Sequence, residues 1–380
     1  MHFLHLLLLV YVQLMQNGYG YPEHKLGSQV KEVVMWTAGQ GGYHTYRIPA
    51  LVVTPRGHVL AFCEGRKNGP TDAGDIDLLV RKSTDHGRTW TASTVLWNDQ
   101  NNTCGNPAPI ADHITGVVWL LATWNLGSDR EPDIIAGKGE DTRRIYILSS
   151  ADDGQTWSPP REITASVKNP DWTWYATGPG SGIQMQQGPH QGRLILGCDH
   201  IERLTHHYYS HIIFSDDHGA TWQLGGSSPQ HQVNECEVAE LSGGRLLLNM
   251  RNYNSERKNR QIAFSNDGGL TWAGQRFDTS LVDPICQASL FSYQDLKKQE
   301  ELKVLFSNPS SLRRENMTLQ ISKDESASWS KKITLYPGPS AYSDLAVLPN
   351  KKVACLYERG RDNPYEEIVL TSIKLKDTNN

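Results

Sequence analysis

Cysteine is sparse in this sequence, an excess of either charge is missing, and no apolar run after the N-terminal stretch is long enough to cross a bilayer. The six cysteines, Cys63, Cys104, Cys198, Cys236, Cys286 and Cys355, lie far apart and form no Cys-x-x-Cys pair. That excludes a dense disulfide framework and argues against a metal site, while leaving buried thiols and scattered disulfides both open. The 37 basic and 41 acidic residues are mixed along the chain to a net charge of −4, so there is no basic stripe to suggest a nucleic-acid partner. An anionic ligand would have to be held by local arginines.

Turn formers are plentiful. With 33 glycines, 19 prolines and a hydrophobic fraction of 38%, the 380 residues suit a turn-rich β protein better than a helical bundle. Only the start differs: Phe3 to Val12 is almost unbroken apolar sequence, followed by Gln13, Gln16, Asn17, Gly18 and Gly20. This reads as a signal peptide over residues 1–20, although no Lys or Arg precedes the run and a buried apolar strand is the alternative. Cleavage near Gly20 would send residues 21–380, as a single domain, into the secretory pathway, to be secreted or lysosomal. The triplets Asn101-Asn102-Thr103 and Asn316-Met317-Thr318 fit N-glycosylation on that route.

A repeat organises the rest. The pattern Ser-x-Asp-x-Gly-x-Thr-Trp occurs without error at Ser83 to Trp90, Ser150 to Trp157, Ser215 to Trp222 and Ser265 to Trp272. A fifth copy, Ser322 to Trp329, keeps Ser, Asp and Trp but loses Gly and Thr. The box reads as a hairpin turn in which Asp accepts from nearby amides, Gly takes the positive φ and Trp anchors the outgoing strand. Each copy follows a β-rich run, such as Ile76 to Val80 or Ile145 to Leu148. The aspartates are therefore structural, not catalytic. Copies begin 67, 65, 50 and 57 residues apart, enough for four short strands each. About six such units fit the chain, and radial stacking protects their sheet edges, so the expected fold is an all-β, six-bladed β-propeller.

Between the boxes lie the residues that point to a function. Tyr46-Arg47-Ile48-Pro49, with the boxes, resembles the sialidase (neuraminidase) family, and the resemblance runs from about Tyr43 to Ile373. Gly178 to Ile183, Phe306 to Pro309 and Gly338 to Ser343 are similar to animal lysosomal sialidase, whereas Trp172-Thr173-Trp174 is as close to the bacterial enzymes. The resemblance implies a retaining exo-α-sialidase that acts on terminal α-linked sialic acids of glycoproteins, gangliosides and oligosaccharides, with no cofactor or metal. Sialic acid carries a carboxylate on its anomeric carbon, and a planar, permanently charged guanidinium suits it. Three arginines are implied: Arg47, Arg251 in Asn249-Met250-Arg251-Asn252, and Arg314, with Arg313 beside it as competitor.

Tyr342 matches the family nucleophile. A neutral phenol avoids the repulsion that a carboxylate would meet at an anomeric centre bearing a carboxylate. Its high intrinsic pKa calls for a base, for which Glu235 is the match and Glu237 the rival. Asp72, on a Gly/Pro-rich loop with Asp75 and Asp77 nearby, matches the acid that protonates the leaving oxygen. Glu358 matches the partner of Arg47, Arg66 an arginine on the hydroxyl side of the ring, and Trp124 a wall for the acyl group. Two other readings remain: a trans-sialidase, which passes the sugar to an acceptor other than water, and a non-catalytic sialic-acid-binding propeller.

Overall fold

The computed structural model describes residues 30–294 and 301–375, and the leader expected over residues 1–20 lies outside them. The regular structure of the described chain is almost entirely strand, arranged in consecutive antiparallel meanders. The first comprises β2 (Thr45–Val53), β3 (Val59–Arg66), β4 (Ile76–Ser83) and β5 (Thr94–Trp97). Next come β6 (Thr103–Ala111), β7 (Val118–Asn125), β8 (Arg144–Ser150) and β9 (Arg161–Glu162), joined to the first by one parallel pairing, Ile76 with Thr103. The third holds β10 (Trp172–Thr177), the short β11 (Ile183–Gln184), β12 (Leu194–Glu202), β13 (Tyr208–Ser215) and β14 (Gln223–Ser227). The fourth is β15 (Val233–Glu240), β16 (Leu246–Asn252), β17 (Asn259–Ser265) and β18 (Ala273–Val282).

The last part of the chain interlocks. β19 (Ser289–Tyr293), β20 (Lys303–Pro309) and β21 (Glu315–Ser322) lead into β22 (Lys331–Val347), a 17-residue strand. The first half of β22 pairs with β21 and its second half with β23 (Lys352–Arg359), so one strand is the edge of one meander and the start of the next. β24 (Glu367–Lys374) follows, and β1 (Val30–Thr37) from the other end of the chain pairs antiparallel with it. Among the described residues helix is confined to two short pieces, α1 (Glu131–Ile135) and α2 (Thr164–Val167), and a three-residue turn.

All five boxes sit at the turn after a third strand, and their hydrogen bonds explain the pattern. In the first, Gly87 N donates to Ser83 Oγ at 2.8 Å, while Thr89 N and Oγ1 donate to the two oxygens of Asp85 at 2.8 and 2.7 Å. The fifth copy keeps this scheme with different residues. Ser328 replaces Thr and donates through N and Oγ to Asp324 at 2.8 and 2.6 Å, and Ser326 takes the glycine position at φ 70°. The tryptophans Trp222, Trp272 and Trp329 are buried, each in an apolar cluster between neighbouring meanders. Similar clusters fill the remaining gaps, and each fully buried Leu, Ile or Phe in them contributes about 1.5–3 kcal/mol. The core is thus a series of inter-sheet layers around a common axis. All six cysteines are free and buried.

Inner strands carry irregularities where they reach one end of that axis. The register shifts between Arg47 and Ala50, Gly105 and Ala108, Val233 and Cys236, and Ser340 and Ser343. A bulge re-aims side chains out of strict alternation. Ile48, at φ 58°, is the plainest case, since a β-branched residue pays most for the left-handed region.

Candidate active site

Those bulges surround a polar cavity of about 170 Å³. Tyr342 stands at its centre, 6% exposed. Its hydroxyl donates to Glu235 Oε1 at 2.5 Å and accepts from Arg251 Nη1 at 3.0 Å. Arg251 Nη1 also lies 2.6 Å from Glu235 Oε2. The guanidinium carbon of Arg47 is 5.0 Å from the Tyr342 ring centre, and that of Arg314 is 5.6 Å away. Two arginines from strands, Arg47 and Arg251, and one from the bend before β21, Arg314, therefore converge on one phenol.

Burial pushes the Tyr342 pKa well above its usual value and the Glu235 carboxylate adds to this, whereas Arg251, Arg314 and Arg47 pull it down. Tyr342 is thus held as a neutral phenol with an acceptor already aligned to take its proton.

Each arginine has a support. Glu358, fully buried, accepts Arg47 Nε at 2.7 Å and Ile48 N at 2.9 Å through Oε1, and Tyr342 N at 3.1 Å through Oε2. One carboxylate thereby fixes the strained Ile48 backbone, the Arg47 side chain and the Tyr342 strand. Arg314 donates to Tyr365 Oη at 2.7 Å and to the Ile285 carbonyl at 3.0 Å. Its neighbour Arg313 turns outward, its side chain 80% exposed beside Glu315. Both precede β21 on a bend, and the bend itself separates them.

Asp72 reaches the cavity from the loop between β3 and β4, its side chain 56% exposed, with Oδ1 2.7 Å from Arg66 Nη2. Burial works to raise its pKa, but Arg66, Arg47 and Arg143 outweigh it and hold the carboxyl below the ordinary range. Arg66 is itself clamped by Glu64 Oε2 at 2.9 and 2.6 Å and by the Pro70 carbonyl at 2.6 Å, which pins the loop. Asp75 and Asp77 face away from the cavity, toward Lys67 Nζ at 2.8 and 3.3 Å. Glu237 lies deeper along the axis than Glu235 and does not line the cavity.

Trp124 is a correction: it does not line the cavity. Its neighbour Thr123 points inward, donating to Asn106 Oδ1 at 2.9 Å, so alternation along β7 sends the indole to the other face. There its Nε1 donates to Asp99 at 2.7 Å and its ring packs near Tyr146. The indole on the cavity wall is Trp174, over which the Arg143 guanidinium stacks at 4.1 Å. Arg143, Asp199, Glu131, Tyr253 and Asn234 complete that side, and the sequence singled out none of them. Asp199 is fully buried with both carboxyl oxygens unpartnered, and burial raises its pKa, as does Glu235.

A larger cavity, about 560 Å³, is lined by Leu51, Val53, Phe291, Gln184 and others and contains none of the predicted residues. Its carboxylate, Glu240, is occupied by the amides of Gln186 and Gln187 at 2.7 and 2.9 Å. The candidate residues all belong to the smaller cavity or its surroundings. No group of three or more metal-ligating side chains occurs among the described residues.

Comparison with known proteins places this geometry in a family. The description "BNR repeat-like domain" matches residues 57–355. The chain is 34% identical over 336 residues to a sialidase of Micromonospora viridifaciens, covering 85% of this chain and 51% of that protein, so it spans about half the relative's length. It is 30% identical to sialidase-3 of Mus musculus, covering 85% of this chain and 90% of that one. Among solved structures, the Hadza microbial sialidase Hz136 superposes with a TM-score of 0.79 at 31% identity, over 89% of this chain and 67% of the other.

Proposed function

The chain belongs to the sialidase family, and on that premise we propose that it is a retaining exo-α-sialidase working through a covalent tyrosyl sugar. The observation that carries this is the 2.5 Å contact of Tyr342 with Glu235 inside the ring of Arg47, Arg251 and Arg314. The family's β-propeller fold is read here as six blades, supported by successive four-stranded meanders closed by β1 on β24. One propeller domain over residues 21–380, following a cleaved leader, agrees with an enzyme of the secretory pathway that meets sialylated glycoproteins, gangliosides and oligosaccharides. No helix among the described residues is long and apolar enough to cross a membrane.

The mechanism follows from charge. The three guanidiniums take the substrate carboxylate, as planar forks suited to two oxygens. Glu235 accepts the phenol proton as the Tyr342 oxygen bonds to the anomeric carbon, and the glycosidic oxygen departs with a proton from Asp72. Water then loses a proton to Asp72, attacks the same carbon and displaces the Tyr342 oxygen, which regains its proton from Glu235. Two displacements restore the original anomeric configuration. Arg66 and Arg47 favour ionised Asp72, so the acid form grows as pH falls and as the substrate carboxylate offsets Arg47. Arg66 remains on the hydroxyl side of the sugar, and Trp174 replaces Trp124 as the indole available to an acyl group.

Proton NMR of fresh reaction mixtures tests the scheme: α-sialic acid is expected first, mutarotating later, and a first-formed β-anomer would refute retention. The two adjacent arginines offer a second test. Arg314→Ala is expected to lose about 100-fold in kcat/KM, the scale of one buried charge-assisted pair, whereas Arg313→Ala stays within about twofold. Steady-state kinetics on a fluorogenic sialoside separate them, and equal losses would remove Arg314 from the carboxylate site.

A further inference from the structure

Beneath the cavity, the strands bearing Glu235 and Tyr342 repeat their pairing one step further along the axis. Glu237 lies two residues beyond Glu235 on β15, and Asp344 two beyond Tyr342 on β22. Their carboxyls are closed off from solvent, with the residues 2% and 0% exposed. One hydroxyl joins them: Ser289 Oγ is 2.9 Å from Glu237 Oε2 and 3.1 Å from Asp344 Oδ1.

Counting protons decides what this bridge is. Ser289 Oγ accepts from the Leu345 amide at 3.0 Å, an N–H shared with Asp344 Oδ1 at 2.9 Å, which leaves the hydroxyl one lone pair and one hydrogen. That hydrogen can go to one carboxylate only. The other contact is a hydrogen bond only if its carboxyl carries a proton and donates to the remaining lone pair. Two bare carboxylates would set an oxygen anion against a lone pair in a dry interior, where an unmet polar contact costs most.

We propose that Glu237 and Asp344 share one proton through Ser289, a tie between β15 and β22 that positions Glu235 against Tyr342 and whose deprotonation limits activity at alkaline pH. The proposal rests on the sialidase reading of the cavity above it. Other contacts hold the tie in place. Glu237 Oε2 also accepts Leu290 N at 2.6 Å, and Asp344 accepts Leu51 N at 2.7 Å and Ser181 Oγ at 3.2 Å. Gln287 accepts from Ser343 N and donates to Ser343 O, both at 3.0 Å, and reaches Glu237 Oε1 at 3.5 Å. The residue next to the nucleophile is thus linked to the bridge. Gly180 closes the remaining side, for a Cβ there would stand 1.7 Å from Glu237 Oε1.

The electrostatics agree. Burial, then Asp344, raises the Glu237 pKa, and burial pushes Asp344 up to about 7. The ionisable groups acting on the pair from adjoining strands are Arg260, which favours ionised Glu237, and the buried Cys355 thiol. Because both folded-state values lie above those of free carboxyls, proton binding favours the fold. The Asp344 share of that stability is present at low pH and is lost as pH rises from about 4 to about 7, and the Glu237 share is lost as pH rises above the ordinary carboxyl range.

Glu237→Gln and Asp344→Asn each supply an amide that can donate to Ser289 at any pH. In either variant the alkaline limb of kcat is expected to move up by about one pH unit, and Tm to fall less between about pH 5 and 8 than in the wild type. An unmoved limb overturns the positioning role, and an unflattened Tm profile overturns the shared proton. Should both variants fail to fold, infrared spectra of the wild type decide: a protonated-carboxyl band persisting at about pH 7, with no ligand bound, is expected, and its absence ends the proposal. A wild type that cleaves no sialoside would instead sink the sialidase reading, and the Tm and infrared results would stand apart from it.

Discussion

Tyr342→Phe is expected to lower kcat by about a thousandfold or more while leaving binding of a carboxylate-bearing inhibitor within about threefold. The substitution removes one oxygen from the centre of the site. That oxygen is the only atom of Tyr342 within hydrogen-bond reach of Glu235 and Arg251, at 2.5 and 3.0 Å, and in the proposed reaction it forms the bond to the sugar. The ring stays, and with it the contacts that Arg47 and Arg314 make at 5.0 and 5.6 Å from its centre. Carboxylate recognition and bond formation therefore separate. Turnover of a fluorogenic sialoside measures one and calorimetry with the inhibitor the other; near-normal turnover would remove the nucleophile assignment, and a collapse of both would mean the ring orders the arginines.

Glu358→Ala should be the most destabilising single change at the site, about 3–5 kcal/mol, because it strands a buried cation. Glu358 is fully buried and answers three donors: the Arg47 guanidinium and the amides of Ile48 and Tyr342. Removing it leaves Arg47 near two other guanidiniums without its carboxylate, and frees a β-branched residue held at φ 58°. Denaturant unfolding gives the measurement. Glu358→Gln keeps an acceptor and the volume and should lose less; equal small losses in both variants would show that Arg47 has another counter-charge.

Much of this was legible before any coordinates. The boxes announced their turns because each needs an Asp, a small residue and a Trp at fixed offsets, and even the degenerate Ser322 copy meets those needs. Short motifs likewise led to Arg47, Arg251, Tyr342 and Glu235, which the structure gathers around one cavity. Residues without a local motif escaped: Arg143, Asp199 and Tyr253 come from separate strands or their ends and meet only when the sheets close up, and Trp174, though it stood in a noted segment, was given no role. Trp124 misled for a different reason. β7 is buried or half-buried along its whole length, so its sequence has no polar alternation to reveal which residues face the axis. Neither could the sequence show that Glu237 and Asp344 meet through Ser289, because β15, β19 and β22 do not pair with one another and meet only where the sheets pack.

The pairing of Arg47 with Glu358 joins positions 311 residues apart. A ribosome that has just passed Arg314 has delivered all three guanidiniums but neither the phenol nor the carboxylate that steadies the first of them. A nascent polypeptide at that stage can collapse around its early sheets, yet it has nothing with which to cleave a glycan. Competence arrives with the final stretch of translation, so a truncated product should be inert rather than partly active.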